Sequence, residues 1–465
     1  MAVTDNNYVH AQWSSRWAFI LAATGSAVGL GNVWKFPYMA GQGGGGAFVL
    51  VYLLCVALIG VPIMMAEVLL GRRGRRSPIN TMRALARIEG ASRRWVALGW
   101  MGVLAGFLIL SFYSVIAGWT LAYVFRAASG AFSGVPADDI RAMFGQFVTD
   151  PTVLLLWHSV FMIMTVAVVG RGVEAGLEKA VKVLMPALFC LLILLVVYSI
   201  GNAEFARAVE FLFRADFSRL SGGDILGAMG QAFFSLSLGM GAIMIYGSYL
   251  PQDASIAGTT FTIAIADTLV ALMAGLAIFP IVFANGLEPA AGPSLIFQTL
   301  PIAFGQMTWG AFWGTLFFVL LVFAAWTSAI SLIEPVVAWL TETRGMHRMA
   351  SSLLVGVIIW ALGIVTVMSF SDWAFEFTFF GAQKSNGLFD MLDILTSNFM
   401  LPLGGILIAI FAGWVMHRAS TEDELAIVWR PGYALWRFLV RLVAPISVGV
   451  VLFFLIFGNY LSAGG

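Results

Sequence analysis

Eleven apolar segments, each long enough to cross a lipid bilayer, dominate this sequence. A membrane-spanning helix needs about 20 mostly apolar residues. The 465 residues are 60% hydrophobic and only 11% charged, whereas a soluble domain carries about 25% charged residues. We therefore predict an all-α membrane protein whose single membrane domain covers residues 1–465. The predicted spans are 13–38, 44–71, 94–125, 152–170, 178–201, 226–250, 257–285, 309–341, 347–370, 389–417 and 432–460.

Basic residues are concentrated in the loops on one side of these spans. The loop after the second span contains Arg72, Arg73, Arg75, Arg76, Arg83, Arg87, Arg93 and Arg94. Because Lys and Arg are enriched in cytoplasmic loops, we predict a cytoplasmic N-terminus. Eleven crossings then place the C-terminus in the periplasm or outside the cell. On the outer side, residues 203–224 are too polar to span, and residues 286–308 are predicted to form a capping hairpin.

Two spans contain glycine-rich segments halfway through the bilayer. Residues 25–32 (GSAVGLGN) interrupt the first span, and residues 235–241 (SLSLGMG) interrupt the sixth. Glycine weakens a helix by about 1 kcal/mol relative to alanine, although small residues also allow close helix packing. The two segments lie five spans apart. This odd spacing predicts two repeats inserted with opposite orientation, whose first helices are discontinuous around a binding site.

Several motifs extend this argument to a family. They are GSAVGLGNVWKFP (25–37), GGGGAF (43–48), SFY (111–113), GWTL (118–121), QAFFSLSLG (231–239), WTSAI (326–330), LD (392–393) and LTSN (395–398). Together they resemble the neurotransmitter:sodium symporter family, in particular its bacterial eleven-helix amino-acid transporters. The resemblance implies a leucine-transporter-like fold, with an inverted 5+5 repeat and helices 1 and 6 unwound at the midplane. Helices 1–5 would occupy 13–201 and helices 6–10 would occupy 226–417, with helix 11 at 432–460.

The resemblance also implies two sodium ions bound by oxygen ligands, as hard cations prefer. The first site would use the Ala27 carbonyl, Asn32, Ser235 and Asp267, together with the substrate carboxylate. The second site would use the carbonyls of Gly25, Val28 and Ala324 and the hydroxyls of Thr327 and Ser328. From the residues alone, these two hydroxyls would instead bond to their own helix backbone, which is common for Ser and Thr.

For the substrate, the resemblance assigns the carboxylate to the Tyr113 hydroxyl and the amides near Leu30 and Gly31. Phe234 would close the site. The full predicted substrate set is Ser26, Ala27, Leu30, Gly31, Ile109, Tyr113, Phe234, Ser235, Ser237, Met240, Ser328 and Leu332. Monoamine transporters of the family place Asp where Gly29 stands, so glycine there favours an amino acid. The apolar lining predicts neutral, hydrophobic or aromatic L-amino acids rather than glycine or charged ones.

Charged residues within spans are functional candidates by default. Lys35 and Asp393 align with the family's outer Arg–Asp gate, although lysine lacks the bidentate fork of arginine. Tyr113 and Phe234 belong to the same gate. Trp13 matches an inner-gate tryptophan, with His10 and Glu342 at the positions of the paired charges. Glu67 and Glu334 are interpreted as members of an internal hydrogen-bond network.

Asp267 separates this chain from the chloride-dependent animal members. Those members have Asn at this position and Ser four residues later, whereas this chain has Asp267 and Ala271. An ionised carboxylate supplies the negative charge that chloride would otherwise bring. We therefore expect transport without chloride. The alternative for Asp267 is a bond to helix backbone.

The leading hypothesis is a sodium-coupled amino-acid symporter of the bacterial inner membrane that works by alternating access. A proton-coupled or exchanging permease of the same fold is the alternative within transport, and a channel or receptor is an alternative outside it. The sequence contains no nucleophile–base arrangement that would suggest an enzyme. Its net charge of +1 argues against a nucleic-acid binder, which needs a clustered basic face. The expected partners are the amino acid and the bilayer. A monomer should suffice for transport, and oligomerisation stays open.

Overall fold

Helices make up most of the chain because backbone groups inside a bilayer must bond within their own segment. The structure is a computed structural model that describes residues 12–201, 204–289, 294–379 and 382–462. In chain order the helices are α1 (Arg16–Ala27), α2 (Gly31–Gln42), α3 (Gly46–Gly74), α4 (Pro78–Ile88), α5 (Arg93–Ala128), α6 (Ala137–Val148), α7 (Pro151–Val169), α8 (Val173–Ile200), α9 (Phe205–Phe213), α10 (Gly222–Ser235), α11 (Ala242–Ser248), α12 (Ile256–Ala284), α13 (295–306), α14 (Gly310–Arg344), α15 (Arg348–Ser369), α16 (Gly387–Val415), α17 (Arg418–Leu425) and α18 (Arg430–Phe454).

Within the described ranges, nine of these helices are long and apolar enough to cross a membrane. They are α3, α5, α7, α8, α12, α14, α15, α16 and α18. The bent pair α1 and α2, at 50° to one another, forms a tenth crossing. The described residues thus give up to ten of the eleven predicted crossings, and the predicted sixth span is divided between the shorter helices α10 and α11.

Helices 1 and 6 are therefore both discontinuous. Residues 28–30 separate α1 from α2, and residues 236–241 separate α10 from α11. Ser237, Gly239 and Gly241 in the second break have φ values of 54°, 78° and 76°, and only glycine adopts this left-handed region readily. The glycine-rich segments unwind the helices, as the sequence predicts.

The outer connections are shorter elements. The polar segment 203–224 contains α9, and the predicted hairpin 286–308 contains α13, with residues 290–293 outside the described ranges. An antiparallel pair of three-residue strands, β1 (Phe377–Phe379) and β2 (Ala382–Lys384), precedes α16.

On the opposite side, Arg72 at the end of α3 joins two other segments. Its Nε lies 2.6 Å from Glu424 Oε1 in α17, and its Nη1 donates to the Ala254 carbonyl at 2.5 Å. The side chain is buried, so both contacts compensate a charge removed from water. This arginine of the basic loop therefore holds α3 against the segment before α12 and against α17.

A close backbone approach fixes α11 against α3. A Cβ atom added at Gly71 would lie 2.0 Å from the Met244 carbonyl oxygen and 3.0 Å from the Ser248 amide nitrogen. Since both neighbours are backbone atoms, they cannot turn aside as a side chain would. Glycine at 71 is therefore required for this packing.

We expect Gly71→Ala to lower the unfolding temperature in detergent, because the two helices must separate, with a loss of about 1–3 kcal/mol. Thermal unfolding followed by tryptophan fluorescence measures the change. Gly230→Ala in α10 is the matched control, since no atom lies within 4 Å of its added Cβ. The packing argument is wrong if both variants unfold at the wild-type temperature.

Candidate functional site

The break in helix 1 exposes backbone amides that two side chains satisfy. The Gly29 amide donates to Asn32 Oδ1 at 3.1 Å, and the Leu30 amide lies 3.4 Å from the Tyr113 hydroxyl on α5. The Leu30 contact is longer than the ~3.2 Å of a normal N–H···O hydrogen bond, so the Leu30 amide remains available to an anionic group. Tyr113 and Leu30 thus form the polar end of the site.

The break in helix 6 is held by Glu67 on α3. The Gly239 amide donates to Glu67 Oε2 at 3.1 Å, and Glu67 is fully buried. Glu334 on α14 accepts from the Tyr249 hydroxyl at 2.8 Å and pairs with Arg348. Both glutamates belong to internal hydrogen-bond networks, as the sequence analysis interprets them.

A cluster of oxygen atoms surrounds Asp267 on α12. Its carboxylate accepts from Asn32 Nδ2 at 2.7 Å and from Ser235 Oγ at 2.6 Å, and the Tyr52 hydroxyl lies 3.4 Å away. Asp267 is 0% exposed. No described Lys or Arg forms an ion pair with it. A buried carboxylate without a charged partner is costly, so the cluster fits a cation ligated by oxygen.

A second group of oxygens lies where α14 meets the break in helix 1. The Ser328 hydroxyl is 3.3–3.4 Å from the carbonyl oxygens of Gly25, Ser26 and Val28. Thr327 Oγ1 lies 3.0 Å from the Phe323 carbonyl and 3.1 Å from the Ala324 carbonyl. The predicted ligands of the second sodium ion therefore lie together. The Thr327 hydroxyl also donates to carbonyls of its own helix, which is the alternative to sodium binding that the residues alone predict.

A buried cavity of about 30 Å³ lies between the two breaks. Its lining residues are Ser26, Ala27, Gly29, Leu30, Gly31, Ile109, Tyr113, Phe234, Ser237, Met240, Ser328 and Leu332. Eleven of these twelve belong to the predicted substrate set. Gly29 is the addition, and Ser235 turns toward Asp267 instead of lining the cavity. A larger hollow beside Arg207 and Leu287 shares no residue with it.

The outer-gate candidates adopt a different contact from the expected ion pair. Lys35 Nζ lies 4.6 Å from the centre of the Phe234 ring, which is a cation–π distance. Asp393 accepts a hydrogen bond from Ser397 Oγ at 2.8 Å. Within the described ranges, Lys35 and Asp393 form no ion pair. A lysine, lacking the forked geometry of arginine, packs over the ring instead.

The inner-gate candidates are separated. Trp13 is buried, and its indole nitrogen donates to the Tyr246 carbonyl at 3.2 Å. Glu342 accepts from the Ser77 amide at 2.8 Å and from Asn80 Nδ2 at 3.0 Å. His10 lies outside the described residues, so its predicted pairing with Glu342 stays a prediction.

Tyr52, Tyr249 and Arg348 were not found by the sequence analysis. Each bonds to a carboxylate that is distant in sequence, for example Tyr249 to Glu334, 85 positions away. A tyrosine in an apolar helix carries no local signal of such a bond. An acidic residue in a span does signal that a partner exists, but not which one.

Two discontinuous helices that line a buried, mostly apolar cavity, with two clusters of oxygen atoms beside it, define a secondary membrane transporter. The chain belongs to the sodium:neurotransmitter symporter family, whose model matches residues 10–133 and 146–462. It is therefore a sodium-dependent transporter and not an enzyme.

Relatives and a solved structure agree with this assignment. The chain is 38% identical to an uncharacterized sodium-dependent transporter of Bacillus subtilis (strain 168), over 95% of this chain and 96% of the relative. It is 31% identical to an uncharacterized sodium-dependent transporter of Haemophilus influenzae, over 97% of this chain and 99% of the relative. The crystal structure of MhsT in complex with L-phenylalanine matches with a TM-score of 0.87 and 43% identity, covering 95% of this chain and 98% of MhsT. The leucine-transporter-like fold is thereby confirmed.

Proposed function

We propose that this protein imports neutral, hydrophobic or aromatic L-amino acids together with two sodium ions, by alternating access and without chloride. One observation supports the proposal most strongly. An apolar cavity lies beside the helix 1 break, and Asn32 of the same segment donates to the buried carboxylate of Asp267, which no described Lys or Arg pairs. A zwitterion with an apolar side chain and a sodium ion would together match these surroundings. MhsT, the similar protein, binds L-phenylalanine.

The polar end of the cavity suits a carboxylate. The Tyr113 hydroxyl and the amides of Leu30 and Gly31 would donate to it, and its charge would adjoin the first sodium ion. A Cβ added at Gly29 would lie 2.5 Å from Ser328 Oγ and 3.2 Å from the Tyr113 hydroxyl. A side chain at position 29 would displace these two hydroxyls, so glycine there favours a substrate that itself brings the carboxylate.

The other end of the cavity suits an apolar side chain. Ile109, Met240 and Leu332 line it, and Phe234 would cover it. The cavity of about 30 Å³ holds little more than one water molecule, so these side chains must move when an amino acid binds. Methionine is unbranched and adapts its shape readily, which makes Met240 the side chain best able to adjust.

The two sodium ions would bind on either side of the helix 1 break. The first would be ligated by the Ala27 carbonyl, Asn32, Ser235, Asp267 and the substrate carboxylate. The second would be ligated by the carbonyls of Gly25, Val28 and Ala324 and by the hydroxyls of Thr327 and Ser328. Because the substrate shares the first ion, each would strengthen the binding of the other.

The gates and orientation complete the proposal. Lys35, Phe234, Tyr113 and Asp393 would close the outer side, and Trp13 with His10 and Glu342 would close the inner side. The repeats 13–201 and 226–417 would move relative to one another around the site, with the N-terminus in the cytoplasm and the C-terminus outside it. One chain contains every proposed ligand, so a monomer would suffice in the bacterial inner membrane.

We expect unlabelled leucine, phenylalanine and tryptophan to displace a labelled amino acid from the purified transporter far better than glycine or lysine. Burying an apolar side chain against this lining stabilises the complex by about 25 cal/mol per Å² of apolar surface. A lysine ammonium, by contrast, would find no described carboxylate among the lining residues. A competition panel in sodium buffer measures this. Stronger displacement by glycine or lysine would overturn the substrate class.

We expect uptake into proteoliposomes to continue when gluconate replaces chloride, because Asp267 would supply the negative charge beside sodium. Asp267→Asn should weaken sodium binding and make the residual uptake respond to chloride. Asp253→Asn, in the loop before α12, is the control and should keep the wild-type profile. Wild-type uptake that collapses in gluconate would contradict this role of Asp267.

A further inference from the structure

Two serine hydroxyls meet at the wall of the cavity. Ser26 Oγ on α1 and Ser331 Oγ on α14 lie 2.8 Å apart, and both residues are buried. Ser331 Oγ also lies 2.7 Å from the Ser328 carbonyl oxygen, to which it donates. A hydroxyl has one hydrogen to donate. Since Ser331 uses its hydrogen on that carbonyl, Ser26 must donate to Ser331.

This direction leaves the Ser26 oxygen as an acceptor without a donor. A hydroxyl oxygen has two acceptor lone pairs, and no described residue donates to Ser26 Oγ. Ser26 lines the cavity, whereas Ser331 lies behind it. The position is also fixed, because the Ser26 carbonyl accepts from Ser237 Oγ at 2.8 Å. The cavity wall therefore presents the Ser26 hydroxyl oxygen as a fixed acceptor, beside the hydroxyls of Ser237 and Ser328 and the apolar side chains.

The position of Ser26 relates this acceptor to the substrate side chain. Leu30 and Tyr113 mark the carboxylate end, and Ser26 lies at the opposite end of the helix 1 break, in the last turn of α1. Ile109, Met240 and Leu332 supply the apolar lining that an aromatic ring would contact. A ring that extends away from the carboxylate end would carry its para substituent toward Ser26.

We propose that Ser26, oriented by Ser331, forms a subsite for the phenolic hydroxyl of L-tyrosine. The proposal rests on the proposed function and specifies its substrate class. The tyrosine O–H would donate to Ser26 Oγ and complete a chain from substrate through Ser26 and Ser331 to the Ser328 carbonyl. Phenylalanine would leave the acceptor unpaired, which costs about tenfold in affinity for one neutral hydrogen bond.

The test compares three ligands that differ only at the para position. Unlabelled L-tyrosine, L-phenylalanine and 4-fluoro-L-phenylalanine displace labelled L-phenylalanine from the full-length transporter in sodium buffer. We expect tyrosine to bind about tenfold more tightly than the other two, because fluorine fills the space without donating. Equal affinities for tyrosine and phenylalanine would overturn the subsite.

Variants then assign the preference to the serine pair. Ser26→Ala should reduce the tyrosine-to-phenylalanine affinity ratio about tenfold, and Ser331→Ala, which frees the Ser26 hydrogen, should reduce it by a smaller factor. Because the affinity ratio compares two ligands on the same variant, a partial loss of folded protein affects both measurements equally and leaves the ratio unchanged. Ser114→Ala is the control. Ser114 is a buried serine whose Oγ donates to the Leu110 carbonyl at 2.7 Å, and it does not line the cavity.

The outcomes separate this inference from the function on which it rests. If wild-type protein binds no hydrophobic amino acid, the proposed function fails. If it binds phenylalanine and leucine but does not favour tyrosine, or if the ratio is unchanged in Ser26→Ala, only the hydroxyl subsite fails.

Discussion

The architecture depends on one constraint: backbone amides and carbonyls inside a bilayer need partners. The chain breaks two helices at membrane depth and gives each break a buried side chain as partner. Asn32 and Tyr113 contact the amides of Gly29 and Leu30, and Glu67 accepts from Gly239. Residues of both breaks, Leu30 and Ser237 among them, line a common cavity. Under the proposed function, the irregular backbone would supply donors for an anion and acceptors for a cation at one site.

Charge balance explains why sodium and substrate would meet there. Asp267 is fully buried and receives hydrogen bonds from Asn32 and Ser235, but no described basic side chain neutralises it. Removing one charge from water is costly, while a paired charge recovers much of that cost. A sodium ion would pair with Asp267 and with the substrate carboxylate together. Binding of either ligand would then lower the cost of binding the other.

The sequence predicts the features that repeat locally, and it misses those that depend on distant contacts. Glycine-rich runs within apolar segments were enough to locate both breaks, since glycine weakens a helix wherever it stands. The family motifs predicted eleven of the twelve residues that line the cavity. By contrast, the Ser26–Ser331 pair joins residues 305 positions apart, and the stacking of Lys35 on Phe234 joins helix 1 to helix 6. No local pattern encodes either contact, because each arises only when the helices pack.

Equilibrium binding of labelled L-phenylalanine across a sodium titration, with choline maintaining the ionic strength, measures the shared site most directly. Sodium should raise the affinity for the amino acid, and the amino acid should raise the affinity for sodium by the same factor, as linkage requires. Equal L-phenylalanine affinity in sodium and in choline would contradict a common site for ion and substrate, and would favour a permease of the same fold that does not use sodium.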